Sequence, residues 1–161
     1  MLKLQEKAIA EGLDAAPTPH ACYTMSPDLL RASSIAGLSS GFISYHSEES
    51  SEEEEMIRFG RGPMWENRRN AGMSTPPVTG KSSLLYFIDR LMEGTSAPID
   101  GHILLVHEVY LDQEGIDAVK TVMLHPFFAL CPLSNIFIHN VLPPLPLMRR
   151  NGLKLCIGTD S

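Results

Sequence analysis

Apolar and polar positions alternate along this chain in two rhythms. In "MLKLQEKAIAEGL", Leu2, Leu4, Ala8 and Ile9 share one helical face, and Gly12 is a C-terminal stop, so the spacing predicts a helix over Leu2 to Gly12. "LDAAPTPHACYT" reads as extended, because the residue before each proline is pushed out of the helical region. "SPDLLRASSIAGL" then predicts a helix with Ser26 as N-cap and Pro27 at the first helical position. "GFISYH" is a short apolar strand. "SSEEEEMIRFG" is a helix capped by Ser50 or Ser51, its glutamates at the positive end of the dipole. "GPMWENRRNAG" predicts a further helical piece, "MSTPPVTGKSS" a proline-broken loop and "SLLYFIDRLME" an amphipathic helix.

The continuous apolar run of "GHILLVHEV" marks a buried strand. "LDQEGIDAVKTVM" follows as a helix, "FFALCP" as another buried strand, "PLPLMRRNG" as a short helix closed by Gly152, and "LKLCIGTDS" as a last strand. About five buried strands alternating with helices, without hairpin turns, predict α/β architecture with a parallel sheet. At 161 residues the chain suits a single domain.

Composition narrows the function. Apolar residues make up 43% and charged residues 20%, an ordinary globular balance that argues against disorder. The net charge is −6 with no basic stripe, which argues against a nucleic-acid partner. The apolar runs are strand-sized, so no membrane partner is expected, and the N-terminus lacks a signal-peptide core. Cys22, Cys131 and Cys156, odd in number and far apart, fit reduced thiols in a cytoplasmic protein. "TGKSS" lacks the first glycine of a phosphate loop, and no G-x-S-x-G elbow or paired-cysteine zinc motif occurs.

In parallel α/β folds chemistry gathers at the carboxyl ends of the strands. Four of the five expected strands place an ionisable residue there: His20, His46, His107 and Asp160. Each has a plain structural alternative. A strand-end histidine is often just hydrogen-bonded, and Thr-Asp-Ser is also good helix-capping chemistry. The acidic run Glu48 to Glu55 reads mainly as a solvated helix face. His102 is expected on the opposite rim, and His125 and His139 are read as structural or surface residues.

In their order, "TPHACYTMS", "SYHSEES", "LLVHEVYL" and "CPLSNIFI…LPPLPLMRRNGLKLCIGTDS" resemble the metal-dependent amidohydrolase superfamily, in its branch of cytosine, guanine and adenosyl-homocysteine deaminases and chlorohydrolases. The resemblance implies a partial (β/α)8 barrel covering about strands four to eight. It implies a divalent metal, zinc first and iron as the other candidate, held by His46 and Asp160. It makes Asp160 also the acceptor of a proton from the water the metal activates. Glu49 would carry a proton to the leaving nitrogen, His107 would polarise the attacked centre, and His20 would touch the substrate ring. The implied activity is hydrolysis of C–N bonds other than peptide bonds, on a nitrogen heterocycle or similar small molecule.

The chain departs from that pattern. It contains no H-x-H pair, from which the family draws its first two metal ligands. Residues 1–161 are therefore expected to be one partial barrel domain, truncated at both ends, with an insertion at about 56–82 carrying Trp65 and Arg68 as candidate substrate contacts. The chain alone is expected to bind zinc weakly and to be inactive. Open barrel edges are expected to favour self-association. The competing expectation is a non-catalytic α/β binding or interaction module derived from the same barrel.

Overall fold

The computed structural model describes residues 2–160. Met1, and Ser161 of the G-T-D-S block, lie outside them. In chain order the elements are α1 (Leu2–Ala10), α2 (Pro27–Leu38), β1 (Phe42–Ser47), α3 (Ser51–Phe59), α4 (Pro63–Asn70), α5 (Ser83–Met92), β2 (Ile99–His107), α6 (Gln113–Val122), β3 (Met123–Leu130), α7 (Pro132–His139), α8 (Leu145–Arg150) and β4 (Leu155–Ile157). The strands form one parallel sheet in the order β1-β2-β3-β4. This is the α/β architecture of a partial barrel, with helices between successive parallel strands.

Local chemistry sets the helix starts as the sequence suggests. Ser26, Ser50, Ser82 and Asp112 each accept a hydrogen bond from a first-turn amide of α2, α3, α5 and α6. Burial alternates along β1: Ile43 and Tyr45 are buried on the helix-facing side, while Ser44 and His46 are half-buried on the other. The main core lies on that helix side, joining Ile43, Tyr45, Ile103, Leu105 and Phe128 to Leu30, Leu84, Phe87 and Ile116. Tyr45 stacks on Phe87 with ring centroids 3.8 Å apart. A smaller cluster of Val106, Ala129 and Cys131, with Leu104, forms apart from it.

Three expectations change. The segment ending at His20 is extended but is not a fifth strand. Pro17 and Pro19 have no N–H to give a ladder. Thr18 takes over instead: its Oγ1 accepts from the Ser44 amide and donates to the Ser44 carbonyl, both at 2.8 Å. The His46 amide then donates to the His20 carbonyl at 2.9 Å. Gly37 permits this close approach, since a Cβ there would collide with the Pro17 carbonyl and the Ile43 side chain.

Second, "CPLSN" does not merely end a strand: Pro132 opens α7, a helix the apolar pattern concealed because its face is exposed. Leu133 is 76% and Phe137 90% accessible. Third, β4 is only Leu155–Ile157, and β3 starts at Met123, where the sequence pattern predicts a helix end. No helix among the described residues is long and apolar enough to cross a membrane.

Candidate metal centre

At the carboxyl end of the sheet the chain leaves its strands through unusual backbone. Glu48, His107, Glu108 and Asp160 all have positive φ, at 52°, 77°, 51° and 56°. Such conformations cost on the order of 1–3 kcal/mol each without glycine, and they cluster at functional sites. Here each one re-aims a side chain at the rim.

His46, from β1, and His107, from β2, place their rings 5.5 Å apart. Asp160, just past β4, reaches both: Oδ1 lies 3.9 Å from His46 Nε2 and Oδ2 lies 3.7 Å from His107 Nε2. Ser134 at the start of α7 donates to Asp160 Oδ2 at 2.9 Å and steadies it. One donor atom from each of His46, His107 and Asp160 falls within 4.8 Å of the others. Glu49 adds a carboxylate on the same side, its Oε1 3.7 Å from His107 Nε2. His20 stands at the margin, its ring 5.1 Å from that of His46 and its Nδ1 2.8 Å from Thr24 Oγ1.

The donors suit a divalent metal such as zinc. Burial, with His107 and His20 beside it, lowers the His46 pKa, so the imidazole is neutral at neutral pH, the form a metal needs. Its Nδ1 is buried without a partner. His107 is buried, and Asn135 from α7 meets its Nδ1 at 3.2 Å through the amide group. Asn135 is fully buried with Oδ1 unpartnered. Amide oxygen and nitrogen exchange places by a half-turn of the side chain. In that rotamer Oδ1 accepts Nδ1–H and leaves the Nε2 lone pair aimed at the donor cluster.

The acidic run is not the solvated face expected from composition. Glu48, Glu53 and Glu54 are buried, together with Glu108. Ser50 caps α3, Glu53 N donating to Ser50 Oγ at 3.1 Å. The Glu53 carboxylate accepts from the amides of Glu48 and Glu49 at 3.2 and 3.0 Å. Glu54 accepts from Ser83 N and Oγ, both at 3.1 Å, and from Arg58 Nε at 2.8 Å. Ser47 Oγ donates to Glu108 Oε1 at 2.5 Å, joining the residue after His46 to the residue after His107. The left-handed turns at Glu48 and Glu108 send these two carboxyls inward, leaving Glu49 to face the donor cluster. Sequence reasoning missed Asn135, Glu53 and Glu108. The S-x-x-E spacing of Ser50 and Glu53 was the available signal for one, and C-P-x-S-N for another.

Burial pushes the Glu53 carboxyl up to about 8, and burial with the neighbouring carboxyls also raises Glu48 and Glu108. A raised folded pKa gives stability that is complete below the unfolded value and is lost as pH rises through the folded one. His46 acts oppositely, but only below its ordinary value of 6.5. Between about pH 6.5 and 8 the carboxyls therefore dominate. Glu53, held at about 8, is expected to remove up to about 1.4 kcal/mol per pH unit as pH rises. Urea unfolding at both ends of this range should show the loss, and Glu108→Gln should flatten it; an equal slope in the variant would clear Glu108 of the effect.

No protein-family model matches the chain. Among curated proteins it is 31% identical over 148 residues to a 5-methylthioadenosine/S-adenosylhomocysteine deaminase of Symbiobacterium thermophilum, covering 89% of this chain and 27% of that protein. It is 26% identical over 167 residues to an aminodeoxyfutalosine deaminase of Deinococcus radiodurans, covering 93% of this chain and 36% of that protein. Among solved structures, Helicobacter pylori aminofutalosine deaminase in complex with methylthio-coformycin superposes with a TM-score of 0.76 at 26% identity. That match covers 98% of this chain and 39% of the other.

The chain is related to the amidohydrolase-superfamily deaminases. It spans about a quarter to a third of the length of the curated relatives it matches. The shared fold extends to a Xanthomonas campestris adenosine deaminase with bound zinc, at a TM-score of 0.61 and 20% identity, covering 91% of this chain and 28% of that one. Within this deaminase relationship the alternative of a non-catalytic module is not favoured.

Proposed function

We propose that this chain carries the metal-binding and proton-transfer part of a deaminase acting on an amino group of a nitrogen heterocycle, with a purine nucleoside as the first candidate. The observation that carries the reading is the convergence of His46, His107, Asp160 and Glu49 at one rim of the parallel sheet. A divalent metal, zinc before iron, would be held by His46 and Asp160 with His107 alongside, and when bound it activates water for attack.

The chain's own residues then divide the proton work. The Asp160 carboxylate accepts the proton released by the attacking water. Glu49, beside His107 and anchored through its amide, shuttles the water's other proton to the departing nitrogen. His107 orients and polarises the attacked centre, and His20 contacts the heterocycle from the margin.

Three protein donors are the usual minimum for catalytic zinc, and the family's H-x-H pair is absent from this sequence. The chain by itself is therefore proposed to bind zinc weakly and to lack turnover. The exposed Phe137 and Ile157, at α7 and the β4 edge, are the surface through which it self-associates. The test joins the amino-terminal barrel portion of the Symbiobacterium relative to this chain and follows ammonia release from 5-methylthioadenosine. Turnover is expected from the joined protein and not from the chain alone. Zinc that stays with the chain stoichiometrically through dialysis, or ammonia release by the chain alone, overturns the incomplete-site reading. A well-folded joined protein without turnover overturns the deaminase reading. Sedimentation of the chain at rising concentration reads out self-association.

A further inference from the structure

The opposite end of the sheet carries two histidines that the rim chemistry leaves unused. Side chains alternate along a strand, so His102 shares a sheet face with Leu104 and Val106, and His125 shares it with Phe127 and Ala129. This face points away from the main core. In a barrel it is filled by layers of bulky branched side chains, so a pair of imidazoles there departs from apolar packing. His102 stands five residues before His107, about 16 Å along the strand at about 3.3 Å per residue. The pair is therefore separate from the donor cluster.

His102 and His125 are direct partners across the parallel β2–β3 ladder, and their rings stack 5.2 Å apart with 20° between the planes. A bulge brings in a carboxylate. Ile99 pairs with Met123 and His102 with His125, so Asp100 and Gly101 together stand opposite Leu124. Gly101 lets the bulge press on α2, since a Cβ there would lie 2.7 Å from Leu38 Cδ2. Asp100 Oδ1 thereby comes within 3.3 Å of His125 Nε2. Donors held about 2.0–2.1 Å from one ion, at right or tetrahedral angles, sit about this far apart. His102 is exposed and touches only flat ring faces in His125 and Phe127, so its ring is free to turn toward the same ion. Nearby Lys154 is drawn onto the Phe127 ring, 5.0 Å from its centroid, so its charge is directed there.

We propose that His102, His125 and Asp100 form a second metal site, which takes a late first-row divalent ion and staples β2 to β3 at the amino end of the sheet. Two imidazoles with one carboxylate suit copper, nickel or zinc, with copper bound most tightly. An ion held by two strands binds the folded chain in preference to the unfolded one and so stabilises it. The site stands independently of the deaminase reading.

The test uses the full chain carrying His46→Ala, which takes one imidazole from the rim cluster, and Cys156→Ser, which removes the exposed thiol that copper would oxidise. Copper(II) is the probe. One equivalent is expected to bind, to show coupling to two nitrogens by electron paramagnetic resonance, and to raise the melting temperature. Adding His102→Ala or His125→Ala should weaken copper binding at least about tenfold, because losing even a group that only orients a ligand costs about 10–100-fold. Either variant should also collapse the two-nitrogen pattern. Asp100→Ala should weaken binding while keeping that pattern. Position 102 is exposed, so His102→Ala remains decisive if His125→Ala fails to fold. Coupling to a single nitrogen in the starting protein, or copper affinity unchanged by His102→Ala, overturns the site.

Discussion

Asp160→Ala is expected to weaken zinc binding by this chain at least about a hundredfold and to abolish ammonia release by the joined protein. The size follows from the donor count. With Asp160 gone, His46 is left as the single assigned ligand, while even loss of a group that only orients a ligand costs about 10–100-fold. The carboxylate is also the anion that would offset the charge of a bound metal. Its side chain is 28% exposed and outside the core, so the variant should fold with an unchanged circular-dichroism spectrum. His46→Ala should behave the same way, since its ring is the other assigned ligand. Ser134→Ala, which removes only the hydroxyl steadying Asp160 Oδ2, should produce a smaller loss. Competition with a chromophoric chelator gives the affinities. Zinc affinity within a few-fold of wild type in Asp160→Ala would remove Asp160 from the ligand set.

Glu49→Gln is expected to separate proton transfer from metal binding. In the joined protein turnover should fall by about 10²–10⁴, the usual contribution of a positioned acid or base. Zinc affinity should stay within a few-fold, because Glu49 approaches His107 and is not among the three convergent donors. The glutamine keeps the size of the side chain and the backbone amide that Glu53 holds, so the local turn is preserved. A loss of turnover matched by equal loss of zinc would make Glu49 a ligand, and full turnover would deny it any proton-transfer task.

Both predictions concern residues that the sequence places at or beside strand ends, and the reason they converge is topological. In a parallel sheet whose strands are joined by helices, every strand end opens on the same rim. Ionisable groups at consecutive strand ends are therefore brought together by the fold whatever the detailed packing. Cap chemistry was equally legible, because Ser26 and Ser50 act on amides only a few residues away. The extended segment before His20 was legible as extended, but its failure to become a strand depended on Thr18 finding Ser44 across the chain.

The sequence by itself determined the α/β order of elements, the helix starts and the four ionisable residues at the rim, because these follow from local periodicity, capping and the direction of parallel strands. Only the tertiary structure decided which acids of the Glu48 to Glu55 run are solvated. The left-handed turn at Glu48 buries a carboxyl that composition assigns to water. The tertiary structure also decided that Asn135, on a helix hidden in the pattern, would meet His107. Both outcomes depend on contacts between residues far apart in sequence, such as Ser47 with Glu108 and Ser83 with Glu54, which no local rule can register.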